Sequence, residues 1–215
     1  MLKIIFMKQL RMVGALLLLS ITTMAQQQKL ITSNNSKSVS ESNSLNNSKI
    51  YLGLNTGIEN PNGLFGVSID FAPVQKVSIA AGVGSGSWGT KSFVEIRRYL
   101  GDNCLGWAGA IGFTHSSGLR NVSLNANTVW GDRTVVFDLY PVNTISFGMY
   151  RFIHVGQRSN RFSYSFGYSV RLTNDIYDVK SGDVLSDHGE SVMKVMAPGG
   201  LMIGLGYYFD VSARH

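Results

Sequence analysis

The feature that most constrains this chain is an alternation of period two whose second face is small rather than charged. In LFGVSIDFA, Phe65, Val67, Ile69 and Phe71 alternate with Gly66, Ser68 and Asp70. VSIAAGVG sets Val77, Ile79, Ala81 and Val83 against Ser78, Ala80, Gly82 and Gly84. RFSYSFGYSVRL and GLMIGLGYYF repeat the pattern with Phe162, Tyr164, Phe166, Tyr168, Val170 and Leu172, and with Leu201, Ile203, Leu205, Tyr207 and Phe209. Side chains of a strand point alternately to its two faces, so such stretches predict β-strands, each with one apolar face. No helical period is apparent beyond the N-terminal region, and the fold class read from this pattern is all-β.

The small face decides between two architectures. A soluble sandwich turns its apolar face inward and covers the other with Lys, Glu and Thr. Here the opposing face is Gly, Ser and Ala with sparse charges, and several strands approach the ten residues that cross a bilayer at a tilt. Phe71, Tyr99, Trp107, Tyr140, Tyr207 and Phe209 collect near strand ends, as interfacial girdles do. The expectation is a single antiparallel up-and-down transmembrane β-barrel of eight to ten strands spanning residues 49–215. Nine strands are clear, near 50–56, 65–71, 77–84, 90–100, 104–115, 133–140, 144–154, 162–172 and 199–210. An even count then requires a further crossing at 176–180 or 190–196, or the loss of one.

Residues 1–25 carry the marks of a cleaved export signal: Lys3, Lys8 and Arg11, then MVGALLLLSI, then Thr23-Met24-Ala25. Residues 26–48, rich in Asn, Ser and Gln, read as a polar tether. The signal holds three basic residues and no acidic one, so the sequence pI of about 9.5 is weak ground for nucleic-acid binding, and none is expected. Cys104 is the only cysteine, which excludes an internal disulfide. His115, His154, His188 and His215 share no ligand spacing, so neither a metal nor any other cofactor is expected. GVGSGSWGTKS (82–92) lacks Walker spacing and leads into a strand, so it is no phosphate loop.

IDFAPVQKVSIAAG (69–82) and FDLYPVNTISFGMY (137–150) echo one another around Pro73 and Pro141, which predicts two equivalent hairpins with short periplasmic turns. Gly101-Asp102-Asn103 is read as a third. The connections 57–63, 85–89, 116–132 and 156–160 then become extracellular. By parity Asp70, Glu95, Arg97, Asp138 and Arg171 face the lumen, where they either knit a salt-bridge network or line a narrow solute path. Arg120, Arg133, Arg158 and Arg161 fall at the expected outer rim, either as solvated charge or as partners for lipopolysaccharide phosphates.

A signal ending in Ala-Gln, a polar tether, FAPVQKVSIAAG-type hairpins and a terminal GLMIGLGYYF resemble the small outer-membrane β-barrel proteins common in Bacteroidota. That resemblance implies an outer-membrane location, contact with outer-membrane lipid, and a structural or surface-binding role. Locally, GFTHSSGLRN (112–121) is similar to the His-x-Ser motif of outer-membrane lipid A deacylases. This second resemblance implies His115 as base and Ser117 as nucleophile on an acyl ester, with Asp132 the nearest substitute for the acidic partner. Gly118 departs from that family, which has asparagine there. A polar strand end is the competing reading of the same residues.

Overall fold

The computed structural model describes residues 48–156 and 159–212. The expected signal and nearly all of the expected tether lie outside the described residues, as do Arg158 and His215. Among these residues eleven strands form: β1 (Lys49–Ile58), β2 (Phe65–Val74), β3 (Val77–Gly86), β4 (Gly89–Tyr99), β5 (Gly106–Ser116), β6 (Leu119–Thr128), β7 (Gly131–Leu139), β8 (Val142–His154), β9 (Arg161–Arg171), β10 (Tyr177–Val179) and β11 (Gly200–Asp210). Among the described residues one helix, α1 (Asp187–Met196), precedes β11.

Eight strands close a barrel in the order β1-β11-β9-β8-β5-β4-β3-β2, every neighbour antiparallel. The strands occur in this circuit in sequence order, so the barrel is a meander with two insertions. One insertion, between β5 and β8, contributes β6 and β7. The other, between β9 and β11, contributes β10 and α1. The inserted strands pair with each other in a three-stranded sheet, β10-β7-β6.

The barrel therefore has two unlike ends. Connections 75–76, 100–105 and 155–160 and both outer strand termini share the turn end. Connections 59–64, 87–88, 117–141 and 172–199 share the loop end. This corrects three expectations with one cause. The segment 133–140 is a strand, but it pairs with β6 and β10 outside the barrel. Removing it reverses β8, which returns from the loop end, so the end of β8 and the start of β9, expected at the extracellular side, lie at the turn end. For the same reason the Pro73 and Pro141 stretches are not equivalent: the first makes a tight hairpin with a register shift between Phe71 and Val74, whereas the second leads from the inserted sheet into the barrel. The remaining candidates for an extra crossing also resolve, with 176–180 holding β10 and 190–196 lying within α1.

The alternation fills both surfaces of the barrel as the sequence demands. Outward, register aligns Leu54 with Val67, Val67 with Val83, Ile79 with Ile96, Ile96 with Ile111, Ile111 with Phe147, Phe147 with Tyr168 and Tyr168 with Leu201. All these side chains are exposed, Leu201 at 76 % and Ile96 at 53 %. At the turn end Trp107 meets Tyr164 edge-on at 6.0 Å and Tyr207 meets Phe209 at 4.8 Å. Tyr99, expected in that girdle, is buried inside the barrel instead.

Inward, small residues make room for large ones. A Cβ on Gly53 would come within 2.7 Å of the Tyr208 ring, one on Gly82 within 2.6 Å of Phe93, and one on Gly112 within 2.7 Å of the Glu95 side chain. The glycines of the alternating face are thus the space into which the lumen's bulky groups fold.

Over the loop end sits a second core. Trp88, Val135, Phe137, Leu139, Val142, Ile176, Leu185, Met193 and Ala197 bury one another. Trp88 comes from the β3–β4 connection and Val142 from the start of β8, so this cap is seated on the barrel. Trp88 Nε1 donates to the Tyr140 carbonyl at 2.9 Å.

Candidate functional site

The lumen near the turn end holds a compact charged cluster, built by the inward parity of three strands. Asp70 on β2, Glu95 and Arg97 on β4, and Arg161 at the head of β9 are all at most 2 % exposed. Arg97 Nη1 donates to Asp70 Oδ2 at 2.9 Å, and its Nε donates to Glu95 Oε1. Arg161 donates from Nη2 to the same Asp70 oxygen, and from Nη1 to Tyr99 Oη at 2.9 Å and the Cys104 carbonyl at 3.0 Å. Tyr150 donates to Glu95 Oε2 at 3.0 Å.

Aromatic faces complete the cluster. The Arg97 guanidinium lies 4.6 Å from the Tyr150 ring centre, and that of Arg161 lies 3.8 Å from Tyr51 and 4.3 Å from Phe152. Two cations face two carboxylates, so the group is neutral as a whole. Buried charge is tolerated when paired and hydrogen-bonded, and guanidinium groups also stack on rings. The result is a plug, with side chains occupying the section a solute would cross.

Asp138 and Arg171, also expected in the lumen, are elsewhere. Asp138 is on β7 in the cap, where Oδ1 accepts the Asn121 N–H at 2.9 Å and Oδ2 lies 3.5 Å from Lys180 Nζ. The Asn121 N–H and the nearby lysine hold its carboxyl below the usual carboxylate range. The Asp178 and Asp138 carboxylates in turn raise the Lys180 ammonium above its ordinary value. Arg171, at the end of β9, reaches the C-terminus of α1 and donates to the carbonyls of Pro198 (2.8 Å), Lys194 (3.0 Å) and Ala197 (2.9 Å). Asp138 is outside the lumen because β7 pairs in the cap sheet, whereas Arg171, opposite Thr144 in the last rung of the β8–β9 ladder, stands at the loop-end mouth and reaches out to α1.

Of the four arginines expected at one rim, Arg158 lies outside the described residues and the other three are dispersed. Arg161 belongs to the plug, at the opposite end of the barrel. Arg133 is on the β6–β7 hairpin, 5.8 Å from the centre of the exposed Trp130 ring. Arg120 lines a cleft of about 370 Å3 between cap and barrel together with Ser117, Asp138, Tyr140 and Lys180. Sequence parity held the signal for Arg161: it shares the odd positions of Ser163, Ser165 and Ser169, all inward-facing.

His115 and Ser117 are near in sequence but not joined in function. His115 Nδ1 donates to the side-chain carbonyl of Asn143 at 2.8 Å. Ser117 Oγ donates to the Gly118 carbonyl at 3.2 Å and accepts the Thr90 N–H at 3.0 Å, so its proton and a lone pair are both engaged by backbone. Asp132 sits at the cap hairpin and accepts from Asn127 Nδ2 at 2.8 Å. A nucleophilic triad needs serine on base and base on carboxylate. Here each member bonds elsewhere. Among the described residues no group of three or more His, Cys, Asp or Glu side chains is arranged to hold a metal ion.

The cap carries a groove of about 410 Å3 between β6 and α1. Leu124, Ala126, Val192, Met193 and Met196 give it an apolar floor, and Asn125, Asn127, Asp132 and His188 give it polar walls. The helix is fixed there by its N-cap Ser186, whose Oγ accepts the Gly189 N–H at 3.1 Å and bonds Asn127 at the end of β6. Sequence reading passed over this groove because it treated 116–132 as loop.

Among solved structures, the chain is similar to the N-terminal β-barrel domain of Pseudomonas aeruginosa OprF, with 15 % identity, a TM-score of 0.39, and coverage of 76 % of this chain and 96 % of that one. No family model and no curated protein matches the sequence.

Proposed function

We propose that this protein is an integral outer-membrane β-barrel whose lumen is closed and whose cap is its working surface, in a structural or surface-binding role. The observation that carries this reading is the unbroken apolar exterior of the barrel, set against a charged interior. Soluble monomers seldom expose contiguous apolar patches beyond a few hundred Å2. An exterior of Leu, Ile, Val and Phe around all eight strands is the surface of a barrel immersed in lipid, with closure leaving no strand edge to hydrocarbon. In this reading the short turns face the periplasm and the cap faces outward, and Arg120 and Lys180, which line the cleft at its foot, would meet lipopolysaccharide phosphates.

The plug argues against a solute channel, because a path along the axis would have to part Arg97 and Arg161 from Asp70. The separate bonding of His115, Ser117 and Asp132 argues against acyl-ester hydrolysis. The test is cell fractionation with gel migration of heated and unheated samples, combined with planar-bilayer conductance and mass spectrometry of lipid A. The proposal expects outer-membrane fractionation, heat-dependent migration, no steady conductance and unchanged lipid A. A soluble periplasmic protein would overturn it, and loss of an acyl chain abolished by Ser117→Ala would replace it with the hydrolase.

A further inference from the structure

Strand β6 is the outer edge of the cap sheet, and the register states which of its backbone groups face outward. In an antiparallel pair, residues alternate between those bonded to the partner strand and those whose N–H and C=O point away. Asn127 points away from β7, because its carbonyl accepts from Ser186 N at 3.1 Å on the far side. On the other side of the sheet the Val136 carbonyl, opposite Ser123, accepts from Lys180 N at 2.8 Å and so also points away from the β6–β7 ladder. Both observations give the same phase, so Ser123 and Asn125 present their backbone N–H and C=O to the open edge. Both residues are exposed, and the segment Val184–Ser186 leading into α1 meets that edge only at its hairpin end, through Asn127, Thr128 and Val129.

Beside these groups lies the groove described above, with Val192 and Met196 left 42 % and 46 % exposed on its floor. A strand edge with free donors and acceptors beside an apolar trough takes an extended polypeptide. The added backbone pairs with the edge while alternate side chains enter the trough. Methionine lends such a floor adaptability. The exposed Asp132 carboxylate at the hairpin end fits a cationic residue there, while the neighbouring Arg133 lies over the Trp130 ring.

We infer that the β6 edge and the β6–α1 groove form a docking site for an extended peptide strand of a partner protein, with alternating apolar residues and a basic residue over Asp132. This site does not depend on the membrane reading, since the cap has its own core. The probe is acetyl-Lys-Val-Thr-Val-Lys-amide, added to the full chain in lipid nanodiscs and followed by amide NMR. The expected result is a saturable shift of the Ser123 and Asn125 amides with slowed hydrogen exchange. N-methylation of the central peptide N–H, or glutamate in place of both lysines, weakens binding about tenfold, the scale of one lost hydrogen bond or ion pair.

In Ser123→Pro the lost N–H is one that faces outward, so the cap ladder persists while binding falls by a similar factor. If that variant misfolds, the comparison of peptides still decides. Absence of any shift, equal binding of the N-methylated peptide, or the same shifts on concentrating the protein alone, which would signal a second copy, each overturns the inference.

Discussion

Asp70 receives both guanidinium groups of the plug on a single oxygen, and the energetic weight of the lumen falls on it. Removing one member of a buried charge cluster leaves its partners uncompensated, which costs about 3–5 kcal/mol. Asp70→Ala should therefore lower the urea midpoint strongly, whereas Lys76→Ala, which removes an exposed pair with Asp102, should shift it within error. In the cap, Asp138 titrates below the ordinary carboxylate range. Its contribution to cap stability is thus present above the unfolded carboxyl value and lost as pH falls through the depressed folded one. The carboxyl 13C shift of Asp138 should move only in that lower range, and should titrate closer to the ordinary value in Lys180→Ala. Parity made Asp70, Glu95 and Arg97 readable as inward from sequence. Arg161 carried the same parity but was assigned by its place in a supposed outer loop. Asp138 shows the reverse fault: alternation gives a face, and only pairing says which surface that face belongs to.

Among the elements, β7 shows why alternation alone misleads. Val135, Phe137 and Leu139 repeat with the same period as Phe147 and Met149 on β8, yet the first three are buried in the cap and the last two are exposed on the barrel. An apolar strand face looks the same whether protein or lipid covers it. Helix α1 was legible in another way. Ser186 as N-cap, Asp187 and Glu190 in the first turn and Lys194 in the last are helix signals, but one short helix was submerged among strands. Its C-terminus depends on Arg171, a cation donating to three terminal carbonyls in the orientation the helix dipole favours. Arg171→Ala should cost about 1–3 kcal/mol locally. Hydrogen exchange would then quicken in α1 while β1 to β5 keep their protection.

At the scale of the whole molecule, the apolar exterior and the closed ladder require each other, since neither is stable in water or in lipid without its counterpart. A charge at the middle of the exterior should be expensive in a bilayer: Val94→Arg is expected to cost about 2–4 kcal/mol, while a similar change in the cap, Val129→Arg, should be nearly neutral. Reversible unfolding in the presence of bilayers measures the difference, and equal effects would count against immersion. The two insertions that build the cap also have a temporal meaning. The β10–β7 pairing joins segments separated by all of β8 and β9, and the seam β1–β11 joins the first strand to the last. Both long-range closures wait on the final stretch of chain, so head and barrel mature together. A nascent or truncated chain ending before Tyr177 would hold neither, and would remain an open sheet exposed to chaperones and proteases.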